Sequence, residues 1–207
     1  MKCSKKIVSI LIIVSGVLIV LGTKNFLLRS RPPGPEKNDA AKMKGSKHAP
    51  IQIVEHVDFQ CPACAVGAGY LKKMLEQHPN EIHLRLEYFP LVGAHKHALL
   101  GARYAECAAR QGKFWALQDL IFEYQPQWRE LENVNEIFDL MAEKAGLDKN
   151  LLAGCLQDKS VDEAIMAQRK KGEQLGIKST PTYFVNKEMI VGSRDLAAKL
   201  TELLKKK

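Results

Sequence analysis

The sequence predicts an α/β fold in which a small β-sheet is interrupted by an all-helical block. Two segments, residues 51–59 and 82–89, alternate apolar and polar side chains as strands do. From residue 95 to about 176 almost every stretch carries a helical period, and strand patterns return only near the C-terminus. A chain of 207 residues has room for one domain with a sizeable core, so we expect strands and helices to share it.

The chain begins with a basic cluster and an apolar run, the arrangement of an export signal or membrane anchor. The uncharged run 7–22 would span about 24 Å as a helix, short of the roughly 30 Å hydrocarbon core. If Lys24 extends to the headgroups, the run continues to residue 28 and reaches about 33 Å. We therefore expect residues 1–6 in the cytoplasm and 7–28 as a single transmembrane anchor. The alternative is a cleaved signal, which would leave a secreted periplasmic protein.

Residues 29–48 combine proline, glycine and charge without apolar periodicity, which predicts a flexible tether before a domain at 49–207. The net charge of +8 does not extend to that domain. The first 48 residues hold ten of the 31 basic residues and two of the 23 acidic ones, so the rest is formally neutral. The predicted domain therefore has no excess of basic residues that would indicate nucleic-acid binding.

Two cysteines three positions apart, Cys61 and Cys64, follow the first strand and precede a helix predicted over 65–78. A cysteine at the first turn of a helix meets unpaired backbone N–H groups and the positive end of the helix dipole, which stabilise a thiolate. Pro62 suits the first helical position, because its missing N–H would have no partner there. We expect Cys61 to be the thiolate and Cys64 its buried partner.

The other cysteines favour an oxidising compartment. Cys3 lies on the inner flank of the predicted anchor, which leaves an even set of four beyond it. The simplest pairing joins Cys61 to Cys64 and Cys107 to Cys155. The second bridge would close a loop of about 48 residues, worth roughly 4 kcal/mol. Alternatively, Cys107 and Cys155 are buried free thiols.

The helical block is followed by two short strand patterns and an amphipathic helix. Five helices are predicted in the block, over 98–109, 114–124, 134–145, 151–156 and 161–175. Strands at 182–185 and 189–191 and a helix at 196–204 come after it. Pro181 stands at the head of the first strand, where it either begins the strand with a trans bond or follows a cis bond after Thr180.

The motifs together resemble the DsbA-like branch of the thioredoxin superfamily. The resemblance rests on the string from Val54 to Cys64 (VEHVDFQCPAC) and on the string from Ser179 to Asn186 (STPTYFVN). It covers residues 45–207 and includes a helical insertion at about 91–179. The resemblance implies a thioredoxin-like fold, the protein disulfide oxidoreductase activity of that branch, and a cis peptide bond before Pro181.

The resemblance also assigns roles to individual residues. Cys61 becomes the exposed nucleophile and Cys64 the resolving thiol, while Pro181 packs against their disulfide and Thr180 tunes redox behaviour and substrate contact. Glu55 takes the place of the buried acid that moves a proton to or from the inner cysteine. Its strand parity agrees, since it shares a face with apolar residues, although a charge at a frayed strand edge is the alternative.

The predicted function is donation of disulfides to the thiols of exported proteins, with reoxidation by a membrane oxidase of the DsbB or VKOR kind. We expect a monomer without cofactor. Because Pro62 and Ala63 provide no histidine between the cysteines, we expect a weaker oxidant than the most oxidising members. A reductase or isomerase of the same fold and a non-catalytic peptide-binding chaperone are the alternatives.

Other residue patterns give little support for further functional sites. His95 and His97 flank one lysine, but no nearby cysteine or carboxylate completes a metal-ligand set, so no metal site is predicted. Glycine-rich phosphate loops and the GxSxG motif are absent from the sequence, which leaves nucleotide chemistry and serine hydrolysis without support.

Overall fold

The computed structural model describes residues 37–205. The predicted cytoplasmic segment 1–6, the predicted anchor 7–28, Cys3 and the first part of the tether lie outside the described residues. Within residues 37–205 no helix is long and apolar enough to cross a membrane.

Nine helices and five strands make up the described part of the chain. The strands are β1 Met43–Gly45, β2 Ile51–Val57, β3 Ile82–Tyr88, β4 Thr182–Val185 and β5 Glu188–Val191. The helices are α1 Lys37–Ala41, α2 Pro62–Gln77, α3 Ala98–Arg110, α4 Phe114–Glu123, α5 Gln125–Trp128, α6 Asn135–Lys144, α7 Lys149–Gln157, α8 Lys159–Gln174 and α9 Ser193–Lys205.

The strands form one sheet in the order β1-β3-β2-β4-β5. The central pair β2 and β3 is parallel, and the other neighbours are antiparallel. Between β2 and β3 the chain runs through α2, and between β3 and β4 it runs through α3 to α8. The α/β fold with a helical insertion is therefore confirmed, with the insertion leaving and rejoining the sheet at β3 and β4.

The tether prediction was wrong for residues 37–48. This segment contains α1 and β1, and β1 pairs with β3 from Met43 opposite Arg85 to Gly45 opposite His83. Lys42 is only 2% exposed and lies near the carboxylates of Asp39 and Glu106, at 3.3 and 3.7 Å. A three-residue strand is too short to show alternation, and the partner that allows this lysine to be buried lies far along the chain.

One sheet face and the helices α2 and α9 enclose an apolar cluster. Ile53 of β2, Leu84 of β3 and Val185 of β4 meet Leu71 of α2 and Leu196 of α9 there. The alternation predicted for β2 and β3 produces this face, because every second side chain points towards the same helices.

A second cluster joins the redox motif to the insertion. Its residues include Phe59 just before the motif, Cys64 within it, and Phe114, Trp128 and Phe138 from the insertion. The aromatic residues therefore pack the helical block. The helix α5 was not predicted, since four residues are too few to carry a helical period.

The structure contains a disulfide between Cys107 of α3 and Cys155 of α7, whose Cα atoms are 5.8 Å apart. This is the predicted pairing, and it replaces the alternative of two free thiols. Cys61 and Cys64 are both free, so the structure represents the dithiol form of the motif.

Candidate active site

The CxxC motif lies where β2 gives way to α2. Cys61 is the N-cap of α2, and Pro62 is the first helical residue. No side chain caps the backbone N–H groups of this first turn, so they remain directed at the N-cap position. The local arrangement expected from the sequence is therefore the one that the structure has.

The two thiols differ in accessibility. Cys64 is fully buried, and Cys61 is 8% exposed. Cys61 is more accessible than Cys64 but is less exposed than predicted for the nucleophile, because the segment before β4 lies against it. The Cys61 sulfur lies 3.4 Å from the carbonyl oxygen of Thr180, and this contact covers part of the sulfur.

The pKa of Cys61 is lowered from 9.0 to about 5. The thiol of Cys64 makes the largest contribution, because it donates to the Cys61 sulfur. Burial raises the pKa and opposes it, while Thr180 and the backbone N–H groups of Ala63 and Cys64 lower it further. Cys61 is consequently a thiolate at neutral pH.

The pKa of Cys64 moves in the opposite direction, well above 9.0. Burial is the main cause, and the interaction with the neighbouring Cys61 adds to it. A thiol that donates a hydrogen bond to an anion resists losing its proton. The pair therefore holds one proton and one negative charge, with the charge on Cys61.

Glu55 lies on β2 in the middle of the sheet and is 2% exposed. Burial raises its pKa from 4.5 to about 8, and the side chain of Tyr183 offsets part of this rise. Tyr183 is the residue directly opposite Glu55 on β4. The Glu55 carboxyl is therefore protonated at neutral pH, and the alternative of a frayed strand edge does not apply. When it is ionised, the Glu55 carboxylate also raises the pKa of Cys64, which couples the two groups electrostatically.

The peptide bond between Thr180 and Pro181 is cis. It brings the Thr180 carbonyl to the Cys61 sulfur, and Thr182 then continues as β4. Of the five residues predicted for the site, the structure thus places Thr180 against Cys61 and Glu55 within electrostatic reach of Cys64, while Pro181 follows Thr180 at the head of β4.

Two glutamines that the sequence analysis missed hold the motif in place. Gln125 of α5 is 2% exposed, and its Nε2 donates to the carbonyl oxygens of Phe59 and Cys61 over 2.7 and 3.1 Å. Gln60 accepts from the backbone N–H of His97 over 2.6 Å. Nothing in the local sequence distinguishes these amides, because each contact joins residues more than 35 positions apart.

His95 and His97 have separate partners. His95 Nδ1 lies 2.8 Å from Asp58 Oδ2, and His97 Nε2 donates to the carbonyl oxygen of Leu131 over 2.7 Å. The Asp58 carboxylate also accepts from the backbone N–H groups of Gln60 and Leu91. These contacts connect the insertion to the loop that carries the motif.

Comparison with known proteins gives a family and a set of similar folds. The family model Thioredoxin_4, described as thioredoxin, matches residues 37–206. The structure of α-DsbA1 from Wolbachia pipientis is 21% identical and has a TM-score of 0.69, covering 80% of this chain and 89% of that one. BdbD from Bacillus subtilis, in its oxidised form, is 19% identical with a TM-score of 0.68, covering 84% and 96%.

Curated relatives carry a different name. The Na⁺/H⁺ antiporter NhaA 3 of Salinispora tropica is 28% identical over 152 residues, which are 73% of this chain and 22% of that protein. An antiporter NhaA 1 of Mycolicibacterium vanbaalenii is 28% identical over 171 residues, or 82% and 27%. The chain thus spans about a quarter of the length of these relatives.

Proposed function

This chain belongs to the thioredoxin family, and on that basis we propose that it oxidises thiols of exported proteins through Cys61 and Cys64. Its thioredoxin-like fold with a helical insertion is the one that the resemblance drawn from the sequence implied. The proposal concerns the direction of electron flow, the order of the chemical steps and the location.

The observation that carries the proposal is the opposite pKa shift of the two thiols. A thiol-disulfide exchange enzyme needs one sulfur that is a good leaving group and one that keeps its proton. A pKa of about 5 makes Cys61 the better leaving group, and the buried Cys64 has its pKa raised.

The reaction begins with the oxidised pair. A substrate thiolate attacks the Cys61 sulfur, the bond between Cys61 and Cys64 breaks, and Cys64 leaves with two electrons and takes a proton. Glu55 supplies that proton, since its pKa of about 8 keeps it protonated at neutral pH. The second substrate thiolate then attacks the substrate sulfur of the mixed disulfide and displaces Cys61 as a thiolate. The substrate loses two electrons, and the enzyme gains them.

The stability of the Cys61 thiolate favours the dithiol form and therefore makes the disulfide oxidising. Measuring the reduction potential of the pair against glutathione tests this direction. We expect a value well above that of thioredoxin, about −270 mV, and below that of DsbA, about −120 mV. A value near −270 mV would contradict an oxidase and favour the reductase.

A Cys61→Ser variant tests whether catalysis is the role of the protein at all. The variant keeps the fold and the peptide-binding surface but cannot form the mixed disulfide. We expect oxidation of a reduced model protein by this variant to stop. In Cys64→Ser, the Cys61 thiolate should attack a disulfide of an oxidised substrate and displace one of its sulfurs as a thiolate, and the mixed disulfide should accumulate because no Cys64 resolves it. If Cys61→Ser supported the cellular function as well as the natural chain, a binding or chaperone role would replace the enzyme.

The location and the redox partner belong to the same proposal. An anchor at residues 7–28 would hold a monomeric domain on the periplasmic side, and a membrane oxidase of the DsbB or VKOR kind would reoxidise the dithiol. The basic residues before the apolar run and the Cys107–Cys155 disulfide support an oxidising compartment. Alkylation of the chain in intact cells and after lysis tests the location, because an exported Cys61 reacts with a membrane-impermeant reagent and a cytoplasmic one does not.

A further inference from the structure

A groove of about 560 Å³ lies on the sheet face opposite the one that Glu55 occupies. We call it the far-face groove. Its sheet side includes Val54, which is paired with Arg85 on β3 and with Phe184 on β4. Because side chains alternate along a strand, these three residues share one face while Glu55 points to the other. The far-face groove is therefore separate from the redox site.

The floor of the groove is apolar. Val54 and Phe184 are half-buried, and Leu175, just after α8, is 49% exposed. A volume between about 300 and 1,000 Å³ with apolar walls is characteristic of pockets for small molecules. Covering this floor would remove apolar surface from water, which is the main favourable contribution to binding such a molecule.

Positive charge lies at both ends of the floor, with Arg85 and Lys171 towards His56 and Lys187 in the turn beside Gln52. Arg85, Lys171 and Lys187 line the groove, and its acidic lining residue, Glu87, is already paired with Arg85. Within residues 37–205, Lys171 and Lys187 form no ion pair. The groove therefore carries an excess of two positive charges, which is complementary to an anion.

His56 lies at the end that Arg85 and Lys171 line and is 3% exposed. Its Nδ1 is buried and has no hydrogen-bond partner within the described residues. Burial, with the charges of Arg85 and Lys171, lowers its pKa to about 4, so the imidazole is neutral. The influence of both cations on this ring shows that their positive field reaches into the groove.

The wall beyond the floor is fixed. Asn186, in the turn between β4 and β5, donates its backbone N–H to the carbonyl oxygen of Gln52 over 2.9 Å. Its side-chain oxygen accepts from the backbone N–H of Gln52 over 2.8 Å. This reciprocal pair anchors the turn that presents Lys187, so the groove is preformed and a ligand need not order it.

We propose that the far-face groove binds a single-chain amphiphilic carboxylate. The carboxylate lies between Arg85 and Lys171 near His56, and the hydrocarbon chain covers Val54 and Phe184. The combination of an apolar floor with the unpaired cation Lys171 at one end selects this class over neutral lipids, which lack the charge, and over small polar anions, which lack the chain.

The test uses the full chain in vesicles of neutral phosphatidylcholine and a decanoate carrying a photoactivatable diazirine. After illumination, peptide mapping by mass spectrometry locates the label. We expect label on the segments around Val54, Leu175 and Phe184, and competition by decanoate but not by decanamide. Shortening the competitor by two methylene groups should weaken competition roughly tenfold.

Two matched variants give the decisive comparison. Lys171→Glu places a negative charge at the groove and should reduce labelling about tenfold or more, because a hydrogen bond to a charged group is lost. Lys170→Glu makes the same change at an exposed neighbour outside the groove and should alter labelling less than twofold. Thiol oxidation through Cys61 should be unchanged in both, since neither lysine contacts the redox site.

Several outcomes would overturn the proposal. If Lys170→Glu and Lys171→Glu had equal effects, the labelling would depend on general surface charge and not on the groove. If decanamide competed, the groove would be an apolar patch that does not select a carboxylate. Labelling that required anionic phosphatidylglycerol in the vesicles would indicate a membrane surface as the occupant. A Cys61→Ser variant should label normally, so failure of the redox proposal would leave this one standing.

Discussion

Cys61 and Cys64 are three positions apart, yet their surroundings shift their pKa values in opposite directions. Cys61 at the N-cap receives hydrogen bonds from Cys64 and from backbone N–H groups, whereas Cys64 is enclosed by the core. The difference gives each sulfur one role in exchange. It depends on the contact between the thiols as much as on the helix terminus.

A pH titration of Cys61 reactivity tests this electrostatic arrangement. In the dithiol protein, the rate of alkylation of Cys61 should reach half its maximum near pH 5. Replacing Cys64 with alanine should move the midpoint upward towards that of an ordinary thiol, because the Cys64 thiol makes the largest contribution to the shift. A midpoint that stayed near 5 in Cys64→Ala would assign the shift to the helix terminus instead.

The lowered pKa of Cys61 should also make the stability of the dithiol form depend on pH. A lowered pKa in the folded state stabilises the dithiol form most above pH 9, and that contribution disappears as the pH falls towards about 5. The advantage of the dithiol over the disulfide form in thermal unfolding should therefore shrink between pH 9 and pH 5.

Glu55 should show the reverse dependence. Its folded pKa of about 8 lies above 4.5, so the stabilisation is fully present below pH 4.5 and disappears as the pH rises through 8. Glu55→Gln should be more stable than the natural chain by about 3 kcal/mol at pH 7, measured by urea unfolding at several pH values. The variant should also release Cys64 more slowly in single-turnover oxidation, and equal rates would remove Glu55 from the proton transfer.

At the scale of elements, α1 and β1 extend the domain to residue 37. The β1 strand covers the edge of β3, and Lys42 between the two elements is buried against Glu106 of α3 and lies 4.6 Å from the Tyr88 ring centroid. The segment therefore joins the sheet to the insertion through a buried cation.

Removing the buried charge of Lys42 should lower the stability of the domain. Lys42→Met should lower the free energy of unfolding by on the order of 3 kcal/mol, because it leaves the carboxylate of Glu106 buried with one partner fewer. Lys47→Met, at an exposed position of the same segment, should change it by less than about 0.5 kcal/mol. Urea unfolding of both variants measures the difference, and similar values would mean that 37–48 contributes little to the fold.

At the scale of the molecule, the insertion both packs the redox motif and is itself cross-linked. Gln125 holds the backbone at Phe59 and Cys61, where the motif begins, and the disulfide joins α3 to α7 across 48 positions. The disulfide lies in the insertion, while Cys61 and Cys64 lie at the end of the sheet. Its role is expected to be stability of the scaffold.

The double variant Cys107→Ala/Cys155→Ala separates the two roles. Loss of a cross-link over this loop should cost about 4 kcal/mol, because the unfolded chain regains conformational freedom. Thermal unfolding should show a lower midpoint, while the reduction potential of Cys61 and Cys64 should stay within the error of the natural chain. A large change in that potential would indicate that the insertion tunes the redox site through the disulfide.

The sequence by itself determined the order of the elements from β2 onwards apart from α5, the position of Cys61 at a helix start and the inward face of Glu55. Each of these follows from a local period or from a residue preference that spans only a few positions. The pairing of Cys107 with Cys155 was one of two open alternatives, and the cis bond before Pro181 came from family resemblance.

Only the tertiary structure decided which residues cover the redox site and how the pKa values of its groups are shifted. The cover over Cys61, the support from Gln125 and the burial of Lys42 all depend on residues that are distant in the chain. The pKa shifts likewise arise from desolvation and from contacts across elements, which no local pattern encodes. Local sequence therefore fixes where the redox pair sits, and long-range packing fixes how reactive each sulfur is.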